Sequence, residues 1–255
     1  MAKTSFLRAP LIAAIASGQD TINITRSGGV FNGYAHFGPS VGLGTVIPGA
    51  PYSGELVSET VMTLADGTHL TSHWPSLKIY RDSHGRIREE REYFASDDKS
   101  DPLVIAQIYD EVAHFQYVLD PQGKVAHRLH MPESGPARTA SPIAERISSP
   151  DFETLEPRTI EGVLAEGTRQ TKTWPEDTFM ENDRPVKTVT EQWISPELKV
   201  RLLSKSVDPR RGEQTTRLIH LSRAEPNGSL FEVPPGYAVV DEKSEFIVVW
   251  GSAAH

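Results

Sequence analysis

The feature that most constrains the fold is an apolar and polar alternation with a period of two, broken at short intervals by turn motifs. From Glu55 onward the alternation returns after hairpin signals such as Ala65-Asp-Gly-Thr68 and Asp82-Ser-His-Gly-Arg86. Segments of helical period are short, and Asp151–Pro157 is predicted as one helical turn. The pattern therefore predicts an all-β chain of antiparallel strands with few short helical turns, about ten to twelve strands in all.

One sequence block occurs twice. Leu64–Pro75 aligns with Leu164–Pro175 at an offset of 100 residues, and seven of the twelve positions are identical, including the closing Trp-Pro. The pattern predicts a hairpin turn at the glycine of each block, at Asp66-Gly67 and at Glu166-Gly167. Internal duplication into two related hairpin units and independent hairpin convergence both explain the match, and duplication is favoured.

Composition shifts divide the chain into four regions. Residues 1–18 have the charged start, short apolar run and small-residue end of an export signal, or of its remnant. Residues 19–54 form a Gly/Pro-rich segment whose 27–50 part is predicted as a long loop or, alternatively, a mobile flap. Residues 55–245 are predicted as a single antiparallel β domain with an internal linker near 132–150, and residues 246–255 as a last strand or a tail.

Charge and cysteine content exclude several functional classes. The chain has no cysteine, which excludes disulfides, thiolate metal sites and a cysteine nucleophile. Its formal net charge is −8, which disfavours nucleic-acid binding because that requires a concentrated basic face. No run approaches the roughly 20 apolar residues that a membrane-spanning helix needs, so no membrane span is expected.

The histidines and carboxylates do not form a recognisable catalytic motif. His69 and His73 lie four apart in a predicted strand, where they are separated by roughly 13 Å, too far to share one metal ion. Neighbouring carboxylates such as Glu89/Glu90 and Asp97/Asp98 are predicted on a solvated surface. No serine lies in a Gly-x-Ser-x-Gly elbow. We therefore expect no metal and no cofactor.

Four segments carry a resemblance to known proteins: Ile160–Gly167, Val189–Lys199, Ser204–Gly212 and Ser229–Tyr237. Over roughly residues 52–245 the chain resembles uncharacterised exported proteins of soil bacteria of the acidobacterial type. More loosely, its strand order and closing Leu-Phe-x-Val-Pro-x-Gly-Tyr element resemble the LolA/RseB-like lipoprotein-carrier class. That resemblance implies a large curved sheet or half-barrel that holds acyl chains or docks a partner. The long lid helices of that class are missing here.

Three functional hypotheses remain at this point. The leading one is a non-enzymatic periplasmic or secreted protein that binds an apolar, lipid-like ligand or an envelope partner on a curved sheet. The second is a hydrolase-type enzyme with a histidine and carboxylate site assembled from separate strands. The third is an interaction module that adds strands to a partner's sheet. The aromatic residues predicted to contact a ligand are Trp74, Trp174, Trp193, Tyr109 and Phe115.

Overall fold

The computed structural model describes residues 22–27, 30–37, 47–93, 103–131, 151–178 and 181–251. Within these ranges the only helical element is a single 3₁₀ turn, Gly228–Phe231, and no helix is long and apolar enough to span a membrane. The strands are β1 Ile22–Ser27, β2 Val30–Phe37, β3 Tyr52–Thr63, β4 His69–Arg81, β5 Ile87–Tyr93, β6 Leu103–Asp110, β7 Phe115–Asp120, β8 Val125–His130, β9 Asp151–Ile160, β10 Val163–Trp174, β11 Val186–Ser195, β12 Val200–Asp208, β13 Gly212–Ser222, β14 Ala238–Glu242 and β15 Phe246–Gly251. The all-β prediction is confirmed, whereas the fifteen described strands exceed the ten to twelve that were predicted.

Twelve of these strands form one large, curved, open sheet. Its order is β14-β8-β7-β6-β5-β4-β3-β13-β12-β11-β10-β9. The sheet consists of two runs of antiparallel hairpin neighbours, β3 to β8 and β9 to β13, which join where β13 pairs with β3. The edge strand β14 pairs with β8 in parallel and is the exception to the antiparallel pattern in the described ladders. The predicted curved antiparallel sheet is therefore confirmed.

The β6–β8 end of the large sheet is covered on both faces. A second sheet, in the order β1-β2-β15, packs on one face through Phe37 and Val248, which are buried with Ile105, Val118 and Leu129. On the other face the segment around the 3₁₀ turn contributes Phe231, which is buried against alternating side chains of β6 to β8: Ala106, Ile108, Leu119 and Ala126. Both faces at this end are thus removed from water, which is the main stabilising contribution that such packing makes.

A separate core lies where β3 and β4 meet β10 to β13. Its buried members include Ile79, Ala165, Trp193, Leu202 and Leu218. Beyond this core the strands continue to their tips with half-buried and exposed side chains, so the tips of β3, β4 and β9 to β13 are uncovered in the described structure.

Several local predictions are wrong. Val30–Phe37, inside the segment predicted as a loop, is strand β2, because it pairs with both β1 and β15. Asp151–Pro157 belongs to strand β9 and forms no helical turn, because 151–155 pairs with β10 and the strand resumes its pairing beyond a bulge. The linker near 132–150 and the possible export signal at 1–18 lie outside the described residues, as do 38–46 of the Gly/Pro-rich segment. The proposed division into regions stays a prediction.

The two copies of the repeated block adopt different structures at their glycines. Asp66-Gly67 is the turn between β3 and β4, where Gly67 has a φ of +85°. Glu166-Gly167 lies inside β10 beside a bulge, and the preceding turn is at Glu161-Gly162 instead. The predicted turn at Glu166-Gly167 is therefore wrong, because tertiary pairing with β9 and β11 extends β10 through it.

Candidate binding face

An uncharged face extends across the uncovered tips of seven strands, from β9 to β4. Residues that are paired in register across neighbouring strands point to the same side of the sheet. A set of such residues, one from each strand, forms a row that lies on one face. The first row is Phe152, Gln170, Thr190, Ser206, Gln214, Thr60 and Ser72. The second row is Thr154, Thr168, Gln192, Ser204, Thr216, Ser58 and Trp74. We call these two rows the uncharged face, because none of their side chains ionises near neutral pH.

Hydroxyl and amide groups dominate the uncharged face, and aromatic rings stand at its ends. Ser58 Oγ and Thr216 Oγ1 share a hydrogen bond of 2.9 Å. Phe152 is 70% exposed at the β9 edge and Trp74 is 62% exposed on β4. The six strand spacings between those two strands correspond to roughly 30 Å along the sheet. The face therefore offers groups that both donate and accept hydrogen bonds between two exposed apolar anchors.

The opposite side of the same strands is charged. Between the two uncharged rows, each strand has one residue whose side chain points to the other face. These residues form a third row: Glu153, Arg169, Glu191, Lys205, Thr215, Glu59 and His73. Arg169 Nη1 lies 2.9 Å from Glu153 and its Nη2 lies 2.7 Å from Glu191. The hydrogen bonds that Arg169 donates to Glu191 and Glu153 raise the pKa of its guanidinium. This is a solvated ion-pair ladder of the kind that keeps one face of a sheet soluble.

A shallow depression of about 440 Å³ lies on this charged side. Its lining residues are Arg169, Val189, Glu191, Lys205 and Val207. The three charged side chains in this lining have ion-pair partners, Lys205 with Glu213 at 2.8 Å and the other two with each other. All three charged side chains of this lining are thus held in ion pairs of the ladder.

The five aromatic residues predicted as ligand contacts are not brought together. Trp74 lies on the uncharged face. Trp174 lies at the end of β10 with Lys172 Nζ 3.8 Å from its ring centre. Trp193 and Tyr109 are buried in separate cores, where packing accounts for them. Phe115, at the start of β7, is half-buried beneath the Arg128 guanidinium at 4.9 Å.

Buried polar groups near the centre of the large sheet serve its structure. Arg81 donates to the carbonyl oxygen of Ala50 at 2.7 Å and to that of Leu198, and burial lowers its pKa. Its guanidinium stacks on the Tyr52 ring at 4.6 Å, and burial raises the pKa of Tyr52 to about 12. Together they fasten the start of β3 to the turn between β11 and β12.

One carboxylate prediction is wrong. Glu89 was expected on a solvated surface, but it is buried, because β5 lies mid-sheet with Ile79 and Gln107 beside it in register. Its neighbour Glu90 accepts a hydrogen bond of 2.8 Å from Arg88 Nε. Asp97 and Asp98 lie outside the described residues.

The described histidine side chains are scattered. His127, on β8, is half-buried, whereas the others are exposed: His69, His73, His84, His114, His130 and His220. Among the residues described, no group of three or more His, Asp or Glu side chains could hold a metal ion. Histidine and carboxylate pairs from separate strands do occur, such as His127 on β8 and Glu242 on β14 at 2.8 Å, so the hydrolase hypothesis stays a prediction.

The uncharged face was not predicted, although the sequence contains a signal for this face. Val186–Ser195 reads Val-Lys-Thr-Val-Thr-Glu-Gln-Trp-Ile-Ser, and alternate positions in β10, β12 and β13 are likewise threonine, serine or glutamine. Each strand alone shows only a polar side. The polar sides form one face only when the pairing register of the strands places them next to one another.

Comparisons with known proteins find only distant likeness. No protein-family model matches this chain, and no curated protein matches it. A chain of the Pseudomonas aeruginosa MucA/MucB complex is 13% identical with a TM-score of 0.38, and the match covers 71% of this chain and 55% of that one. A LolA-superfamily protein from Nitrosomonas europaea is 9% identical with a TM-score of 0.30, over 73% of this chain and 91% of that one. A putative outer membrane lipoprotein-sorting protein domain from Vibrio parahaemolyticus is 10% identical with a TM-score of 0.21, over 71% and 89% respectively.

The class that these neighbours represent is the LolA/RseB-like class that the sequence loosely resembles. At TM-scores below 0.4 the likeness says nothing about function. The resemblance to exported proteins of the acidobacterial type stays a prediction.

Proposed function

We propose that this chain is a non-enzymatic periplasmic or secreted binding protein that docks an envelope partner on its uncharged face. The observation that supports this is the contrast between the two sides of the same strands. One side is an ion-pair ladder, whereas the other has two complete rows without a charge and exposes Trp74 and Phe152. Interface cores are depleted in charged residues and enriched in aromatic ones, so the uncharged side is the side suited to docking.

A lipid-like ligand is the alternative occupant of this face. The exposed apolar side chains Leu70 and Met62, which are paired in register near the tips of β3 and β4, favour it. The depression on the charged side does not favour a lipid-like ligand, since three of its five lining side chains are charged. Native mass spectrometry of protein from the parent organism, before and after lipid extraction, separates the two occupants. A co-purifying lipid would identify the ligand as apolar, and its absence favours the envelope partner.

Two adjacent threonines provide the direct test of the proposed face. Thr216 and Thr215 follow one another on β13, are both half-buried, and point to the uncharged and charged sides respectively. A photo-cross-linking amino acid is placed at either position, and the cells are irradiated. We expect an envelope cross-link from position 216 and none from position 215. Equal cross-linking from both positions, or none from position 216, contradicts the proposal.

A further inference from the structure

The edge strands of the two sheets differ in charge. Charged residues and proline on an edge strand discourage pairing with another chain. The large-sheet edges contain such residues: Asp151, Glu153, Glu156, Pro157 and Arg158 on β9, and Asp241 and Glu242 on β14. In the small sheet β1 contains Arg26. The remaining edge strand, β15, has the sequence Phe-Ile-Val-Val-Trp-Gly and, alone among the described edges, has neither a charge nor a proline.

Side-chain contacts place β15 above β8. The Phe246 ring stacks on the His127 ring with centroids 4.4 Å apart. The cluster that buries Phe37, on the neighbouring strand β2, takes its large-sheet members from β6, β7 and β8 and none from β14. Strand β2 therefore lies toward the middle of the large sheet. Among the described strands, the edge of β15 that does not pair with β2 is free, and it faces the other way, over β14.

The position beside β15 has an apolar floor. Strand β14 extends one strand beyond β8, and Val240 pairs in register with His127, so it points to the face that β15 covers. Val240 is nevertheless 42% exposed, because β15, the last described strand of the small sheet, lies above β8 and leaves β14 uncovered. On the outer side of β15, Val249 is 66% exposed. One further strand at about 4.8 Å from β15 would cover Val240 and extend the small sheet.

We propose that the β15 edge accepts an extended, uncharged segment of a partner protein by strand addition. Main-chain hydrogen bonds would supply the affinity, and apolar side chains at alternate positions would pack on Val240. A second copy of this chain does not fit the same place. Joining two β15 edges would bring β14 of each copy into the layer that β8 of the other already fills.

A peptide of defined pattern tests this proposal. The probe is a capped peptide of about eight alternating valine and threonine residues, the length of an ordinary strand. We expect it to bind the full chain and to slow amide exchange in 246–251. A matched peptide of the same length with a central proline lacks one backbone donor and is expected not to bind.

Two exposed valines provide the variant and its control. Val249→Lys places a charge beside the free edge of β15 and is expected to weaken probe binding by about tenfold or more. Val239→Lys, at a residue that is 49% exposed on β14, changes a side chain in register with Ala126 and therefore on the opposite face from Val240. This control is expected to change binding by less than about twofold. Ile247→Lys, also exposed on β15, serves as a second variant if Val249→Lys does not fold.

Three results would overturn the proposal. They are absence of exchange protection in 246–251, equal weakening by the β15 and β14 variants, and a wild-type dimer that Val249→Lys converts to monomer. The last result would assign the edge to a second copy. None depends on cross-linking from Thr216, so the edge and the uncharged face can fail separately.

Discussion

Gly167 is the residue on which the geometry around Trp193 depends. The two residues are paired in register on β10 and β11. A Cβ at position 167 would lie 2.6 Å from Trp193 Nε1 and 2.8 Å from the Cβ of Leu155. The indole is buried beneath the Arg158 guanidinium, 4.3 Å from its ring, and has little room to move away. Glycine is required here by a close approach of side chains.

We predict that Gly167→Ala destabilises the fold by about 1–3 kcal/mol, the usual cost of overpacking. In urea unfolding, this loss of stability is measured as a lower midpoint concentration, with an unchanged dependence of the unfolding free energy on urea concentration. Gly228→Ala is the matched control, because a Cβ there meets no atom within 4 Å. If both variants unfold at the wild-type midpoint, the close contact at Trp193 does not constrain the fold.

Strand β14 shows how an element can depend on polar contacts. It pairs with β8 in parallel and is fixed by side-chain pairs at its end. Arg128 Nη2 donates to Asp241 Oδ2 at 2.9 Å, and His127 Nδ1 lies 2.8 Å from Glu242 Oε1. The hydrogen bonds from Arg128 lower the pKa of Asp241. The attachment of β14 is therefore sensitive to acid.

The pH dependence of β14 has a definite sign. Because folding lowers the pKa of Asp241, its stabilising contribution is complete above the ordinary aspartate pKa of about 3.9 and is lost as the pH falls through the lower folded value. We predict that Asp241→Asn lowers the urea midpoint at neutral pH and that this difference disappears in strong acid. A difference of the same size at both pH values would show that the charge of Asp241 is not involved.

For the whole molecule, the two ends of the large sheet differ in how well they are covered. Strands β6 to β8 are packed on both faces, whereas the tips of β9 to β13 are open. Local opening is easiest where few apolar contacts must be broken. We predict that the amides of Ile108 and Val118 exchange only on global unfolding and that those of 171–174 exchange by local opening at least about tenfold faster. Hydrogen exchange read residue by residue measures this, and uniform protection along the sheet would contradict it.

The sequence by itself determined the features that depend on neighbours in the chain. A period of two and turn chemistry such as Asp66-Gly67 operate over a few residues, so the all-β class and most of the strands could be predicted. Strand β14 was not predicted, since it is short and its parallel partner lies more than a hundred residues away. Trp74 and Trp174 lie in blocks that match at seven of twelve positions, yet they have different surroundings, because those depend on contacts outside the block.

Only the tertiary structure decided which strands are neighbours and which side chains share a face. The pairing of β13 with β3 brings Thr216 beside Ser58, 158 residues away in the chain, and a register shift of one residue would exchange the uncharged and charged sides. Pairing of β10 with β9 and β11 made Glu166-Gly167 part of a strand, and the place of β5 between β4 and β6 buried Glu89. Pairing of β15 with the distant strand β2 left β15 at an edge of the small sheet. Local residue order specifies strands, but register and layer contacts among distant residues specify surfaces, and binding depends on surfaces.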